Sequence, residues 1–147
     1  MQGIETTAPQ AVALGLAVIF GAIAAVHVFW AAGGATTGGA AVPTVADGAP
    51  LFRPGRAGTL AVAVLLAAAA AVVLGRAGVT ALLAPPVLYR VATWVLGGVL
   101  LLRVIGEFRY VGVFKRERGS RFARLDTWLY TPLCAGLAAG VLYLATR

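Results

Sequence analysis

The chain has 147 residues, 61% of them hydrophobic and only 12% charged, with a net charge of +7. Soluble domains carry about half apolar and about one quarter charged residues, so an ordinary soluble enzyme is excluded, as are a disordered chain and a secreted disulfide scaffold. The basic residues cluster between apolar runs, which directs the charge to a membrane surface and not to nucleic acid.

Four apolar spans follow in chain order. Span 1, residues 11–32, holds one ionisable residue, His27. Its leader Met-Gln-Gly-Ile-Glu-Thr-Thr lacks the basic n-region of a signal peptide, so the span is expected to be retained. Span 2, residues 57–74, is almost pure Ala, Val and Leu. Span 3, residues 87–108, is opened by Pro85-Pro86, and span 4 covers residues 126–146. Each can cross a hydrocarbon core about 30 Å thick as a helix. A β-barrel needs alternating polarity, and Ala67 to Ala71 shows none. The expected fold is therefore an all-α, single-domain, four-helix integral membrane bundle.

Orientation follows from the loop charges. The connection at about 109–125 carries Arg109, Lys115, Arg116, Arg118, Arg121 and Arg124, and that at about 33–56 carries Arg53 and Arg56. Those eight share one side; Arg76, Arg90 and Arg147 share the other, and Arg103 lies within span 3. The positive-inside rule places both connections in the cytoplasm and both termini outside, in a multi-pass protein of the plasma (inner) membrane. Trp30, Tyr110 and Trp128 would anchor the inner interface, Tyr89 and Tyr143 the outer. The first connection, rich in Gly, Ala, Thr and Pro, reads as an irregular segment. No internal repeat argues for an inverted-repeat transporter.

Small residues suggest close helix packing: Ala63, Ala67, Ala71 and Gly75 on span 2, Gly136 and Gly140 on span 4, Gly21 and Ala25 on span 1. Alanine is also simply abundant here. Either way a wide aqueous pore is not expected.

The ionisable residues near the spans are the functional hint, because intramembrane charge costs about 2.5–3.5 kcal/mol and is normally paired. At the helix rise, Glu107 lies ~4–5 Å and Arg103 ~10 Å deeper than Tyr110, and His27 ~4–5 Å deeper than Trp30. Arg103 and Glu107 are spaced i,i+4, as are Asp126, Tyr130 and Cys134 in turn. If these stripes face each other they form a polar pocket with an aromatic rim, open to the cytoplasm. Arg103 can equally serve only to neutralise Glu107 or Asp126, His27 to strut two helices, and Cys134 to fill apolar space. Lys115, Arg116, Arg118, Arg121 and Arg124 form a basic, lipid-facing loop suited to anionic head groups. Pro132 removes one helix hydrogen bond and frees the Trp128 carbonyl. One His and one Cys do not make a metal set, and no nucleotide or hydrolase motif is present, so no metal or cofactor is expected. The pairs Gly33-Gly34 and Gly38-Gly39 lack the context of a phosphate loop.

Three segments carry a resemblance: His27-Val-Phe-Trp-Ala-Ala-Gly-Gly34, Arg103-Val-Ile-Gly-Glu-Phe-Arg-Tyr-Val-Gly-Val-Phe-Lys-Arg116, and Phe122-Ala-Arg-Leu-Asp-Thr-Trp-Leu-Tyr-Thr-Pro-Leu-Cys134. The chain resembles domain-of-unknown-function family 3995, small bacterial four-helix membrane proteins without an assigned activity. The resemblance implies that His27, Trp30, Arg103, Glu107, Arg109, Asp126, Tyr130 and Cys134 are family features. Glu107 and Thr131 depart mildly from the family's Asp and Ser.

Three functions compete. The first is a binding or structural membrane protein, engaging anionic lipid, a partner or a second copy. The second is a membrane enzyme acting on a lipophilic small molecule by proton transfer, with His27 and Glu107 as acid and base, Arg103 holding an anionic group, and Trp30 and Tyr130 lining the cavity. The third, a proton pathway, is the weakest, because the outer half offers little beyond Thr93. The first is preferred, and whether the protein is an enzyme stays open.

Overall fold

A computed structural model of the chain describes residues 6–34, 41–44, 49–81 and 83–147. Three long helices come first: α1 (Ala8–Ala31), α2 (Arg56–Arg76) and α3 (Pro86–Ile105). A short helix α4 (Arg121–Leu125) then runs through a π-helical turn (Asp126–Tyr130) into α5 (Thr131–Ala145). Among the described residues, four helical segments are long and apolar enough to cross a membrane: Ala8–Ala31, Arg56–Arg76, Pro86–Ile105 and Arg121–Ala145. Their mean hydropathies are 2.4, 2.5, 1.6 and 1.5. The leading residues 1–5 and the Gly38-Gly39 pair lie outside the described residues.

The helices form a ring in which α1 packs on α2, α2 on α3, α3 on α5 and α5 on α1. α1 and α3 stand on a diagonal and do not touch. The apolar core fills the half of the bundle away from the α1–α2 and α3–α4 connections. It joins Ala13, Leu16 and Phe20 of α1 to Ala69 and Val73 of α2 and to Leu137, Val141 and Leu144 of α5. Thr93 of α3 is also fully buried there, and its hydroxyl donates to the Tyr89 carbonyl of its own helix at 2.6 Å. Back-bonding of this kind lets a hydroxyl sit among apolar groups without an unmet donor.

Small residues do bring helices together, but not along the expected stripe. Ala63 and Gly75 of α2 are buried, whereas Ala67 and Ala71 are exposed. Positions four apart drift by about 40° per step at 3.6 residues per turn, so a long i,i+4 row winds off any straight interface. Gly21 and Gly136 likewise meet nothing. The close approaches are made by Gly140 against Leu16, by Gly75 against the Tyr89 ring, and by Gly97 against Leu142. Between α2 and α3, an apolar groove of about 300 Å³ runs past Val72, Leu88 and Tyr89.

The ends of the spans follow local chemistry. The Gln10 side chain accepts the Thr7 N–H at 3.0 Å, where α1 begins. α3 stops at Ile105 because Gly106 turns to φ 83°, so Glu107 and Phe108, expected inside the span, lie beyond the helix. The fourth span starts earlier than expected. Ser120 caps α4, its hydroxyl accepting the Ala123 N–H at 3.0 Å. Pro132 cannot donate a helix hydrogen bond, and the helix resolves this with the wider turn just before it, where Thr131 N–H bonds to the Asp126 carbonyl.

Candidate functional site

Asp126 opens the π turn and is completely buried. A buried carboxylate is stable only when its lone pairs are filled by donors, preferably cationic ones. Four donors engage it here. Oδ1 accepts from Arg103 Nη2 at 2.6 Å. Oδ2 accepts from Lys115 Nζ at 2.9 Å, from the Gly112 N–H at 2.9 Å and from the Thr131 hydroxyl at 3.3 Å. These donors come from the last turn of α3, from the α3–α4 connection, and from the first residue of α5. The carboxylate therefore ties together three segments that the chain order separates.

The connection reaches Asp126 by a fold of its own. Gly106 and Gly112 take φ 83° and 88° and lie back to back. A Cβ on Gly106 would stand 1.7 Å from the Val111 carbonyl oxygen, and one on Gly112 2.6 Å from the Gly106 backbone. Both positions thus need glycine for sterics as well as for the left-handed backbone. Val113 N–H then donates to the Val104 carbonyl at 2.8 Å, closing the loop on the end of α3. The N–H groups of Arg116 and Glu117 share the Arg109 carbonyl at 3.1 and 2.8 Å.

Lys115 departs from its expected place. It was expected on the lipid-facing basic loop, but its side chain is 3% exposed and its ammonium sits between Asp126 and the Gly112 carbonyl, 3.2 Å away. The Coulomb attraction of a buried carboxylate outweighs hydration of this one amine. Arg116, Arg118, Arg121 and Arg124 are exposed.

Of the other residues named from the sequence, Arg103 and Asp126 are brought together as an ion pair. Arg103 and Glu107 are not paired along a helix face, because the helix has ended. The exposed Glu107 carboxylate instead accepts the Tyr110 N–H, and the Arg109 guanidinium lies over the Tyr110 ring at 5.1 Å. His27 is half-buried; its Nδ1 donates to the Ile23 carbonyl at 2.8 Å, and its ring meets the edge of Trp30 at 5.1 Å. Tyr130 packs on Phe122 at 5.9 Å, and Cys134 is a half-buried free thiol. His27 and Glu107 are thus each engaged within their own segment, His27 on α1 and Glu107 in the α3–α4 connection. Among the described residues no three metal-ligating side chains gather.

Three partners of Asp126 lie outside the spacing motifs of the sequence: Lys115, Gly112 and Thr131. One signal for the first is visible in the sequence. Lys115 is the chain's single lysine among eleven arginines. Its ammonium is a compact point charge, unlike the planar, forked guanidinium of the surrounding arginines. The pair Gly106 and Gly112, six residues apart in a basic segment, is the corresponding signal for the loop.

Over residues 20–142 the chain matches the family described as "Protein of unknown function (DUF3995)", and it belongs to that family. No curated protein and no solved structure matches it.

Proposed function

We propose that this protein is a binding or structural component of the plasma membrane, in which the Asp126 cluster latches the α3–α4 connection against the end of the bundle. In this reading both connections are cytoplasmic and both termini outside, as the division of eight basic residues against three supports. The observation that carries the reading is the engagement of both oxygens of Asp126 by donors from three segments. The carboxylate is thereby committed to holding the connection in place. An ion cluster so arranged fixes one conformation of a loop, which is what a binding surface requires.

A second reading has one observation of its own. His27 gives its Nδ1 proton to Ile23, which leaves Nε2 as an acceptor in the neutral ring. That is the arrangement of a general base, and it supports the alternative of proton transfer on a lipophilic molecule. Mass spectrometry of compounds that co-purify with the detergent-extracted protein separates the two readings. A His27→Ala, Glu107→Gln double variant serves as the control. Bulk phospholipid in equal amounts from both proteins is the result expected. A discrete lipophilic compound, retained by the native protein and lost from a stably folded variant, would overturn a purely structural role, favour a pocket for a lipophilic ligand and name its chemical class.

A further inference from the structure

The α3–α4 connection does not lead away from the bundle. It leaves α3 at Ile105 and comes back to the level of that helix's last turn, where Val113 bonds to Val104 and Gly112 to Asp126. The side chains it turns outward at that level are apolar. Phe108 is 57% exposed, Val113 53% and Phe114 60%. The rings of Phe108 and Phe114 lie 6.2 Å apart, so they form one patch. Phe108 stands at φ 68°, a conformation that a side-chain-bearing residue keeps only when its surroundings enforce it. The loop is therefore held in a shape that presents these rings.

Cations accompany the patch. Arg109, Arg116 and Arg118 are exposed, while the one lysine points the other way into Asp126. The acids in the same stretch are Glu107, which accepts from Tyr110, and Glu117. In water, a fixed pair of bare phenylalanine rings is unfavourable. At a bilayer boundary, apolar side chains flanked by arginine have both of their preferred media within reach. The π turn adds Trp128, 83% exposed, next to the buried Asp126.

We infer that the α3–α4 connection is an interfacial lipid-binding element whose occupant is anionic phospholipid. Phe108, Val113 and Phe114 lie among the upper acyl chains, and Arg109, Arg116 and Arg118 bind the lipid phosphates. Charge complementarity selects anionic over zwitterionic lipid. The inference rests on the latch reading, because only a fixed loop holds both sets of side chains at their depths.

The test uses the whole protein in nanodiscs containing phosphatidylglycerol and phosphatidylcholine. Nitroxide labels are placed at Phe114→Cys and, separately, at Glu117→Cys, both with Cys134→Ala. Power saturation should show the label at 114 accessible to oxygen and shielded from a water-soluble nickel chelate, with 117 the reverse. Equal nickel access at both positions overturns the inference, and so does dipolar broadening between labels at 114, which assigns the patch to a second copy. Phosphatidylglycerol retention, read by native mass spectrometry, should fall roughly fivefold for each arginine changed to glutamine among positions 109, 116 and 118. Unchanged retention in the triple variant overturns the lipid assignment. Failure of the latch reading shows separately, as a Lys115→Met variant with native melting temperature and native label mobility.

Discussion

Lys115 and Asp126 form an ion pair at 2.9 Å, with side chains 3% and 0% exposed, although they lie eleven positions apart in a strongly basic stretch. Arg103 approaches the other carboxylate oxygen at 2.6 Å and stays 31% exposed. One anion thus serves two cations of unequal burial. That inequality ranks the effects of substitution.

Asp126→Asn removes the anion and leaves Lys115 as an uncompensated buried charge. Breaking a buried pair in this way costs about 3–5 kcal/mol, and partial hydration of Arg103 places the loss near the lower figure. Thermal and denaturant unfolding in detergent, compared with the native protein, measures it. A change below about 1 kcal/mol, the size of an exposed pair, contradicts the buried latch.

Lys115→Met is expected to cost less, about 1–3 kcal/mol, because Asp126 keeps Arg103, Gly112 and Thr131. Lys115→Arg should rescue it only in part, since a larger planar guanidinium replaces a compact ammonium held between Asp126 and the Gly112 carbonyl. A double-mutant cycle with Asp126→Asn should show the two losses to be strongly non-additive. Additive losses would mean that the residues do not act through each other.

Gly106→Ala and Gly112→Ala each force a Cβ into backbone atoms, at 1.7 and 2.6 Å. The loop must then open. Tryptic cleavage in the 109–118 stretch should accelerate at least tenfold, the factor that about 1.4 kcal/mol of loop destabilisation produces, and cleavage after Lys115 should gain most because its side chain is buried in the native loop. Cleavage rates equal to those of the native protein would show that the glycine pair does not govern the loop.

The neighbours Gly97 and Gly98 give a paired test of the α3–α5 interface. A Cβ at Gly97 would lie 2.5 Å from a Leu142 methyl, whereas one at Gly98 meets nothing within 4 Å. Gly97→Ile should destabilise by about 1–3 kcal/mol through overpacking. Gly98→Ile should be close to neutral. The reverse order would place the interface on the wrong face of α3.

The spans were legible because hydropathy is a local sum, and residues 11–32 and 57–74 nearly coincide with Ala8–Ala31 and Arg56–Arg76. Their ends were less so. Span 3 reads as apolar through Phe108, yet a single glycine at positive φ ends the helix three residues earlier. Ser120 is a recognisable cap, but the arginines behind it disguise α4 as loop. For the site, the sequence narrowed the partner of Arg103 to Glu107 or Asp126. Spacing pointed to Glu107 through the i,i+4 geometry, which requires the helix to continue past Ile105, and it does not.

The sequence alone determined an all-helical chain with four segments long and apolar enough to cross a membrane, and its family, because composition and local motifs are written along the chain. The tertiary structure decided which charges meet. Arg103 pairs with Asp126 and not with Glu107, and Asp126 also takes the one lysine out of a run of arginines, because α3 ends before Glu107 and the Gly106–Gly112 contact folds the connection back. Pairing energy depends on distance and burial, and both are set by backbone closures between residues far apart in sequence.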